Sequence, residues 1–512
     1  MRVEDQEEVI AFLTDPTTHG LEGEVEVIET HISMVFLAGD RAYKLKRAVH
    51  LPYADFATPA IRLANCEREL ALNGATAPEL YLGVRRINRG AGRLTFNGPG
   101  ELVDAVVEMR RFDQEMLFDK MALRGEITAP MIRGLAAEIA RAHDLAEVSE
   151  GMDGADNIAA VLDINRAGFH ESQVFREHEI EAIDQAFRAA LERLAPRLDS
   201  RARAGAVRRC HGDLHLRNVC LYEDRPRIFD CIEFNEQLAT IDVLYDLAFL
   251  VMDLWHRGFN GLANQLTNRY LDITGQEDGF ALVPFFTALR AQVRAHVTAT
   301  QAETCAPEDA AALKTAAREY YDLAIEILKP APARLIALGG LSGSGKSTLA
   351  AVLAPELGAP PGARLIESDL ARKAMFGVDP ETRLPEKAYA AGVSEQVYAA
   401  MADRAGGLVA GGCTVIADAV YDRPERRAAI EVAAGEVPFQ GVWLEARPEL
   451  LRQRVEDRRD SASDADLAVL ESQLTRDLGQ ITWTRIPVSG TPHEVLERLR
   501  ACLGLPRKDG DA

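Results

Sequence analysis

Short apolar runs separated by turn residues open the chain. Val25–Ile28, Met34–Ala38 and Arg41–Lys46 read as strands, and Gly39-Asp40 between the last two supplies a hairpin turn. From Pro59 onward the period lengthens. Pro59–Asn73, Pro130–His143 and Glu179–Leu194 carry helical spacing, with one more strand predicted at Leu102–Met109. Strands first and helices later describe a small sheet lobe followed by a larger helical lobe.

The pattern then breaks. The helical spacing of Ala311–Leu328 ends in Lys329-Pro-Ala-Pro-Ala-Arg334, and beyond it the apolar strands Leu335–Leu338, Arg364–Glu367, Thr414–Ala417 and Gly441–Glu445 alternate with helices. That alternation is the signature of a parallel sheet with right-handed crossovers. The expected fold class is therefore multidomain, an α+β region over residues 1–329 and an α/β region over 333–506, with 507–512 a short polar tail.

Length agrees, since 512 residues exceed one ordinary core. With 47% apolar and 27% charged residues, both regions are expected to fold. No apolar run approaches the roughly 20 residues that span a bilayer, and the acidic start lacks the basic-then-apolar order of a secretory signal. A cytoplasmic protein with no membrane partner is expected. Seven cysteines without a CxxC pair signal buried thiols, not a zinc site or a disulfide framework. Of the net charge of −21, residues 333–512 carry −4 (22 Lys and Arg against 26 Asp and Glu), which leaves −17 on residues 1–332. Such a field disfavours long nucleic acid as a partner.

Gly340-Leu-Ser-Gly-Ser-Gly-Lys-Ser347 fits G-x-x-x-x-G-K-[ST] between a predicted strand and a predicted helix. Gly340, Gly343 and Gly345 let backbone N–H groups of the loop, including Ser344, turn toward one anion; Lys346 reaches the β- and γ-phosphates, the Ser347 hydroxyl ligates Mg²⁺, and Thr348 continues the nucleotide-binding turn. Asp369 follows the second strand, where it is either a base or holder of Mg²⁺-bound water, or a helix cap. Asp418 follows the third strand as a carboxylate near Mg²⁺, with capping again the alternative. Arg454 and Arg458 share one helix face and suit either a lid over the transferring phosphoryl group or a solvated basic face.

At these residues the region resembles the small P-loop kinases of the gluconate kinase, chloramphenicol phosphotransferase, polynucleotide kinase and zeta toxin type, within the AAA family of ATP-binding domains. The resemblance covers about Arg334–Leu505. It implies phosphorylation of a hydroxyl with Asp369 as base, Arg372 as an acceptor or phosphate contact, and Arg454 and Arg458 as lid.

The first region carries a second constellation. His211-Gly-Asp-Leu-His-Leu-Arg-Asn218 places Asp213 and Asn218 five residues apart, and Asp230 ends the short apolar strand Ile228-Phe-Asp230. In phosphoryl transfer a loop Asp orients the acceptor hydroxyl, while an Asn and a second Asp bind metal, which gives Asp213 as candidate base and Asn218 and Asp230 as candidate Mg²⁺ ligands. The loop resembles that of aminoglycoside phosphotransferases and choline kinases, over about His19–Leu328, and so implies a two-lobed kinase-like fold. Ala42-Tyr-Lys44 then matches the lysine strand, with Lys44 on the α- and β-phosphates and Glu69, or else Glu67, holding it. Lys46 shares the face of Lys44 and is its competitor, or a solvated strand end. No glycine-rich loop is present, and Thr30 and Ser33 stand as hydroxyl donors in its place. Asp246 resembles the aspartate that braces the loop in that family; both Asp242 and Asp246 also read as structural carboxylates before an apolar helical run.

Together these features predict a tandem phosphotransferase that uses ATP and Mg²⁺ at two sites and acts on the hydroxyl groups of small-molecule acceptors. Two rivals stand beside it. In one, a single site is catalytic and the other is a regulatory nucleotide-binding module; in the other, the P-loop region acts on a nucleic-acid end or a nucleotide. No motif fixes the acceptor or the oligomeric state.

Overall fold

A computed structural model describes residues 3–30, 32–51, 54–151, 153–457 and 466–507. Two compact units divide the chain: Met1–Asp163 with Leu191–Asp253, and Ile164–Ala190 with Leu254–Ala512. Among the described residues no helix is long and apolar enough to cross a membrane.

The first unit is built on a six-stranded antiparallel sheet. Its strands are β1 (Glu26–Glu29), β2 (Ser33–Ala38), β3 (Arg41–Lys46), β4 (Tyr81–Gly90), β5 (Arg93–Phe96) and β6 (Glu101–Arg110), ordered β1-β2-β3-β6-β4-β5. The hairpin turn stands where the sequence puts it, at Gly39 with φ +60°, and sets Val35 opposite Lys44. The β4–β5 hairpin is an addition, because its polar, arginine-rich strands carry no apolar run.

Both faces of this sheet are covered, which is why β2 and β3 read as nearly continuous buried runs. On one face Phe36, Tyr43, Leu45 and Val106 pack with Val9 and Leu13 of α1 (Glu7–Thr14). On the other, Leu37, Ala42 and Val107 pack with Cys66 of α2 (Pro59–Thr76). The Thr58 hydroxyl accepts the Ile61 N–H and Pro59 opens the first turn, so α2 starts where its sequence says. The helical part holds α3 (Ala129–Leu145), residues 191–203 of α4 (Glu177–Arg203) and the short pairs β7 (Val207–Arg209) with β10 (Thr240–Asp242) and β8 (Val219–Tyr222) with β9 (Arg225–Ile228). α5 (Val243–His256) follows.

In the second unit, α6 (Asn260–Thr274), α7 (Val283–Thr304) and α8 (Pro307–Ile327) precede a five-stranded parallel sheet. Its strands β11 (Leu335–Gly339), β12 (Arg364–Glu367), β13 (Val415–Asp418), β14 (Phe439–Glu445) and β15 (Thr484–Pro487) run in the order β12-β13-β11-β14-β15. The fifth strand, Thr484–Pro487, lies at the sheet edge and alternates too little to be read from sequence. The mixed α/β fold of two kinds, antiparallel sheet first and parallel sheet second, is the one expected.

The parallel sheet is tied to the helices before it through β12. Arg364, fully buried, donates to Asn268 Oδ1 (2.8 Å), Asp272 Oδ1 (2.5 Å) and Glu277 Oε1 (2.9 Å). Glu277 also accepts from Arg404, and Asn264 Nδ2 donates to the carbonyls of Pro361 and Ala363, both at 3.0 Å. These bonds satisfy polar groups that would otherwise lie buried and unpaired.

Candidate active sites

Helix α2 presents one buried stripe, Arg62, Cys66, Glu69 and Asn73, at the spacing that aligns residues along a helix face. Each polar member has a fixed partner. Arg62 donates to Asp104 at 2.8 Å, Asn73 Oδ1 accepts the Cys231 N–H at 3.1 Å, and Glu69 Oε1 accepts from Lys44 Nζ at 2.9 Å. Lys44 also pairs with Asp230. Glu67, the alternative lysine partner, faces outward and meets Arg86 at 3.3 Å.

Lys46 corrects one expectation: it is not a solvated strand end. Its side chain is fully buried, with Nζ paired to Glu69 Oε2 and to Glu233. The cause is tertiary, since α2 and the segment after Asp230 cover the face that Lys44 and Lys46 share. Burial opposes charge on both ammoniums, yet Asp230 and Glu69 raise Lys44 well above its ordinary value, and Glu69 raises Lys46. Burial also acts against the Glu69 carboxylate, but Lys44 and Lys46 outweigh it and hold the group below the usual range.

The loop after β7 is held from below. Asp246 accepts the N–H groups of His211 (3.1 Å) and Gly212 (2.8 Å) and meets His143 Nε2 of α3 at 3.0 Å. It therefore acts on the loop, whereas Asp242 caps α5 by accepting the Leu244 N–H and binds Arg201 Nε at 2.8 Å. Asp253 accepts the Leu216 N–H at 3.0 Å. Within the loop Asn218 Nδ2 donates to Asp213 O (2.9 Å) and Oδ2 (3.2 Å), so Oδ1 is the Asn218 atom that could hold a cation. His215 Nε2 lies 3.4 Å from Asp213 Oδ2 and sets its ring against Phe249. The loop and Asp230 are joined through Phe229, whose N–H donates to Asn218 O and whose carbonyl meets His211 Nε2 at 2.8 Å.

Asp230 has φ +61°, a conformation costly for a residue with a Cβ. Tyr81 holds it there, its hydroxyl accepting the Asp230 N–H at 3.0 Å. Lys44, Glu69, Asp213, Asn218 and Asp230 are thus gathered in one unit. Thr30 and Ser33 bond to each other across a tight turn: Thr30 Oγ1 accepts the Ser33 N–H and donates to its carbonyl, both at 3.0 Å. Lys46, Glu233 and Tyr81 belong to the same site; for Lys46 the alternation along β3 was the available signal.

The second constellation lies at the carboxyl ends of β11, β12 and β13. Between β11 and α9 (Lys346–Leu353) the backbone turns through positive φ at Gly340, Gly343 and Gly345. A Cβ on Gly343 would come within 2.8 Å of the Leu451 carbonyl, so only glycine lets the loop pass there. Lys346 Nζ bonds to the Leu341 carbonyl at 3.3 Å. Ser347 Oγ donates to Asp418 Oδ2 at 2.5 Å, and Thr348 is exposed on the first helical turn. The buried Ser344 hydroxyl has no hydrogen-bond partner among the described residues. Gln473 Oε1, which sequence did not flag, accepts the Ser342 N–H at 2.9 Å.

Asp369 stands in the first turn of α10 (Ser368–Met375). Glu367, its neighbour at the end of β12, pairs in register with Asp418. Burial and the carboxylates of Asp418, Asp272 and Asp369 raise the Glu367 carboxyl to about 8. Arg372 is buried: its Nη1 donates to the Ala388 carbonyl at 2.7 Å and to Ser394 Oγ, which stands in α11 (Ala391–Ala410), and its guanidinium lies on the Tyr389 ring. Arg454, on α12 (Pro448–Glu456), reaches the loop, with Nη1 3.5 Å from the Gly343 carbonyl. Arg458 lies outside the described residues.

Two stretches of the chain match known families. Residues 98–281 match the phosphotransferase enzyme family, and residues 335–476 match the AAA domain. Uncharacterised proteins of Mycobacterium tuberculosis (Rv2004c) and Mycobacterium bovis (Mb2027c) are 28% identical over 477 residues, which is 91% of this chain and 93% of theirs. Among solved structures, choline kinase from Cryptosporidium parvum aligns over 63% of this chain and 95% of its own, at 12% identity and TM-score 0.40. A gluconokinase from Sinorhizobium meliloti aligns over 34% and 94%, at 21% identity and TM-score 0.25. The chain thus carries, in tandem, a region at residues 98–281 that matches the phosphotransferase enzyme family and a region at residues 335–476 that matches the AAA domain.

Proposed function

We propose that the protein is a tandem phosphotransferase in which each of two sites takes ATP and Mg²⁺ and transfers the γ-phosphate to the hydroxyl group of a small-molecule acceptor, one borne by residues 1–329 and the other by 333–506. The observation that carries the reading is the position of Lys44, paired to both Glu69 and Asp230 within the unit that holds Asp213 and Asn218. Lys44 binds the α- and β-phosphates, Asp230 and Asn218 Oδ1 are the metal ligands, and Asp213 orients the acceptor hydroxyl and receives its proton. In the second site Lys346 binds phosphate, Ser347 and Asp418 face the metal, Asp369 is the base, and Arg454 with Arg458 closes over the phosphoryl group. Arg372, packed against the Ala388–Ser394 segment, shapes the acceptor side.

The donor sets fit the metal, since carboxylate, amide and hydroxyl oxygens are what a hard divalent cation takes. Bound there, Mg²⁺ supplies charge neutralisation to the phosphates. What the chain's own residues contribute is placement and preorganised charge.

Full-length protein carrying Lys346→Ala, Asp213→Asn, or both tests this with a labelled-ATP screen across small-molecule acceptors. Each single variant is expected to retain one set of acceptors and the double variant none. In the Lys346→Ala background, Asp213→Asn is expected to lower kcat by about 10²–10⁴-fold with Mg·ATP affinity kept, whereas Asp230→Asn weakens Mg·ATP binding itself. Normal turnover in the double variant refutes the reading.

A further inference from the structure

We propose that Lys46 and Glu233 are positioning residues of the first site, clamping Glu69 and the Asp230–Glu233 segment so that Lys44 is presented to the nucleotide. The proposal rests on the reading of that site as a kinase site.

Lys46 cannot act on phosphate directly, because its side chain is fully enclosed. Its two partners are themselves buried, Glu69 completely and Glu233 at 3% side-chain exposure. Each oxygen of Glu69 is thereby assigned, Oε1 to Lys44 and Oε2 to Lys46. A carboxylate with a single ammonium partner can rotate about its last torsion, which is broad. One with an ammonium paired to each oxygen is restrained from both sides, so Lys46 helps set the orientation in which Glu69 receives Lys44.

Glu233 extends the clamp to the metal side. Every residue from Asp230 to Glu233 is fastened: the Asp230 N–H to the Tyr81 hydroxyl, the Cys231 N–H to Asn73, the Ile232 N–H to the His211 carbonyl at 2.9 Å, and the Glu233 carboxylate to Lys46. Surroundings that over-determine a residue are what allow a strained conformation such as that of Asp230 to persist. Lys46 thus repeats, one step along the strand, the tie that Lys44 makes between the lysine strand, the glutamate helix and the aspartate segment.

The test uses full-length protein with Lys346→Ala throughout, reading Mg·ATP affinity by calorimetry and kcat by ADP release. Lys46→Met, and the milder isosteric Glu233→Gln, are each expected to weaken Mg·ATP binding by about 10–100-fold, the range seen when residues that orient direct ligands are removed. Residues acting through a common partner are not additive, so Lys44→Met with Lys46→Met is expected to lose no more than Lys44→Met alone. Additive losses, or Glu233→Gln binding as tightly as its parent, overturn the proposal. Asp230→Asn separates the two levels. If Asp230→Asn weakens binding and the clamp variants do not, this proposal alone fails; if Asp230→Asn binds normally, the kinase reading of the site fails with it.

Discussion

Glu69→Gln keeps the shape of the side chain and removes the charge that Lys44 and Lys46 share. In the native cluster two ammoniums stand among the carboxylates of Glu69, Asp230 and Glu233. After the change Lys44 retains Asp230 and Lys46 retains Glu233, so neither cation is orphaned. Removing one partner of a buried pair costs about 3–5 kcal/mol, and the surviving partners place this case near the lower end, about 3 kcal/mol. For regions of this size a loss of 1 kcal/mol lowers Tm by about 2–4 °C, so the transition of the first unit is expected to fall by about 6–12 °C. The pH dependence follows from the same ion pairs. Because the folded Glu69 carboxyl lies below its ordinary value of 4.5, its stabilisation is present above that pH and is lost as pH falls toward the folded value. Scanning calorimetry of wild type and variant therefore expects the full gap at pH 7 and a narrowing gap below pH 4.5. A gap under about 2 °C at pH 7, or one that stays constant on acidification, refutes the idea that Glu69 is a charged link between the lysines.

His296 is buried with Nε2 3.1 Å from Asn165 Oδ1, and burial lowers its pKa to about 4. The neutral ring is the folded form, so stability is present above pH 6.5 and lost as pH falls toward 4, by up to about 3 kcal/mol. His296→Gln should flatten that acid slope in urea titrations at pH 7 and pH 4.5; an unchanged slope refutes the assignment. Residues 333–507 expressed alone lack Asn268, Asp272 and Glu277, the partners of Arg364, and are expected to be less stable than residues 254–507 by about 3–5 kcal/mol. Equal thermal melts for the two fragments would show that these ion pairs do not anchor the sheet.

Local chemistry was sufficient for much of this. The glycine spacing at Gly340–Ser347 needs only its own backbone to turn through positive φ, and β3 and β12 begin and end where their apolar patterns do. Asp213, Asn218 and Asp230 were legible because their spacing along the chain is itself the signal. Tertiary structure decided what spacing cannot carry. Glu69 and Glu67 both lie on α2, and only the packing of that helix on the sheet turns one to Lys44 and the other to Arg86. Lys46 reads as a polar strand end until Glu69 and Glu233, distant in sequence, close over it. Glu367 looks like an ordinary strand terminus, and its raised pKa comes from burial first and then from the carboxylate of Asp418, which the parallel register sets beside it. Arg364 is one basic residue among many until α6 supplies its carboxylate and amide partners. In each case the reason is the same: a charge's behaviour depends on which groups replace its water, and those groups come from elsewhere in the chain.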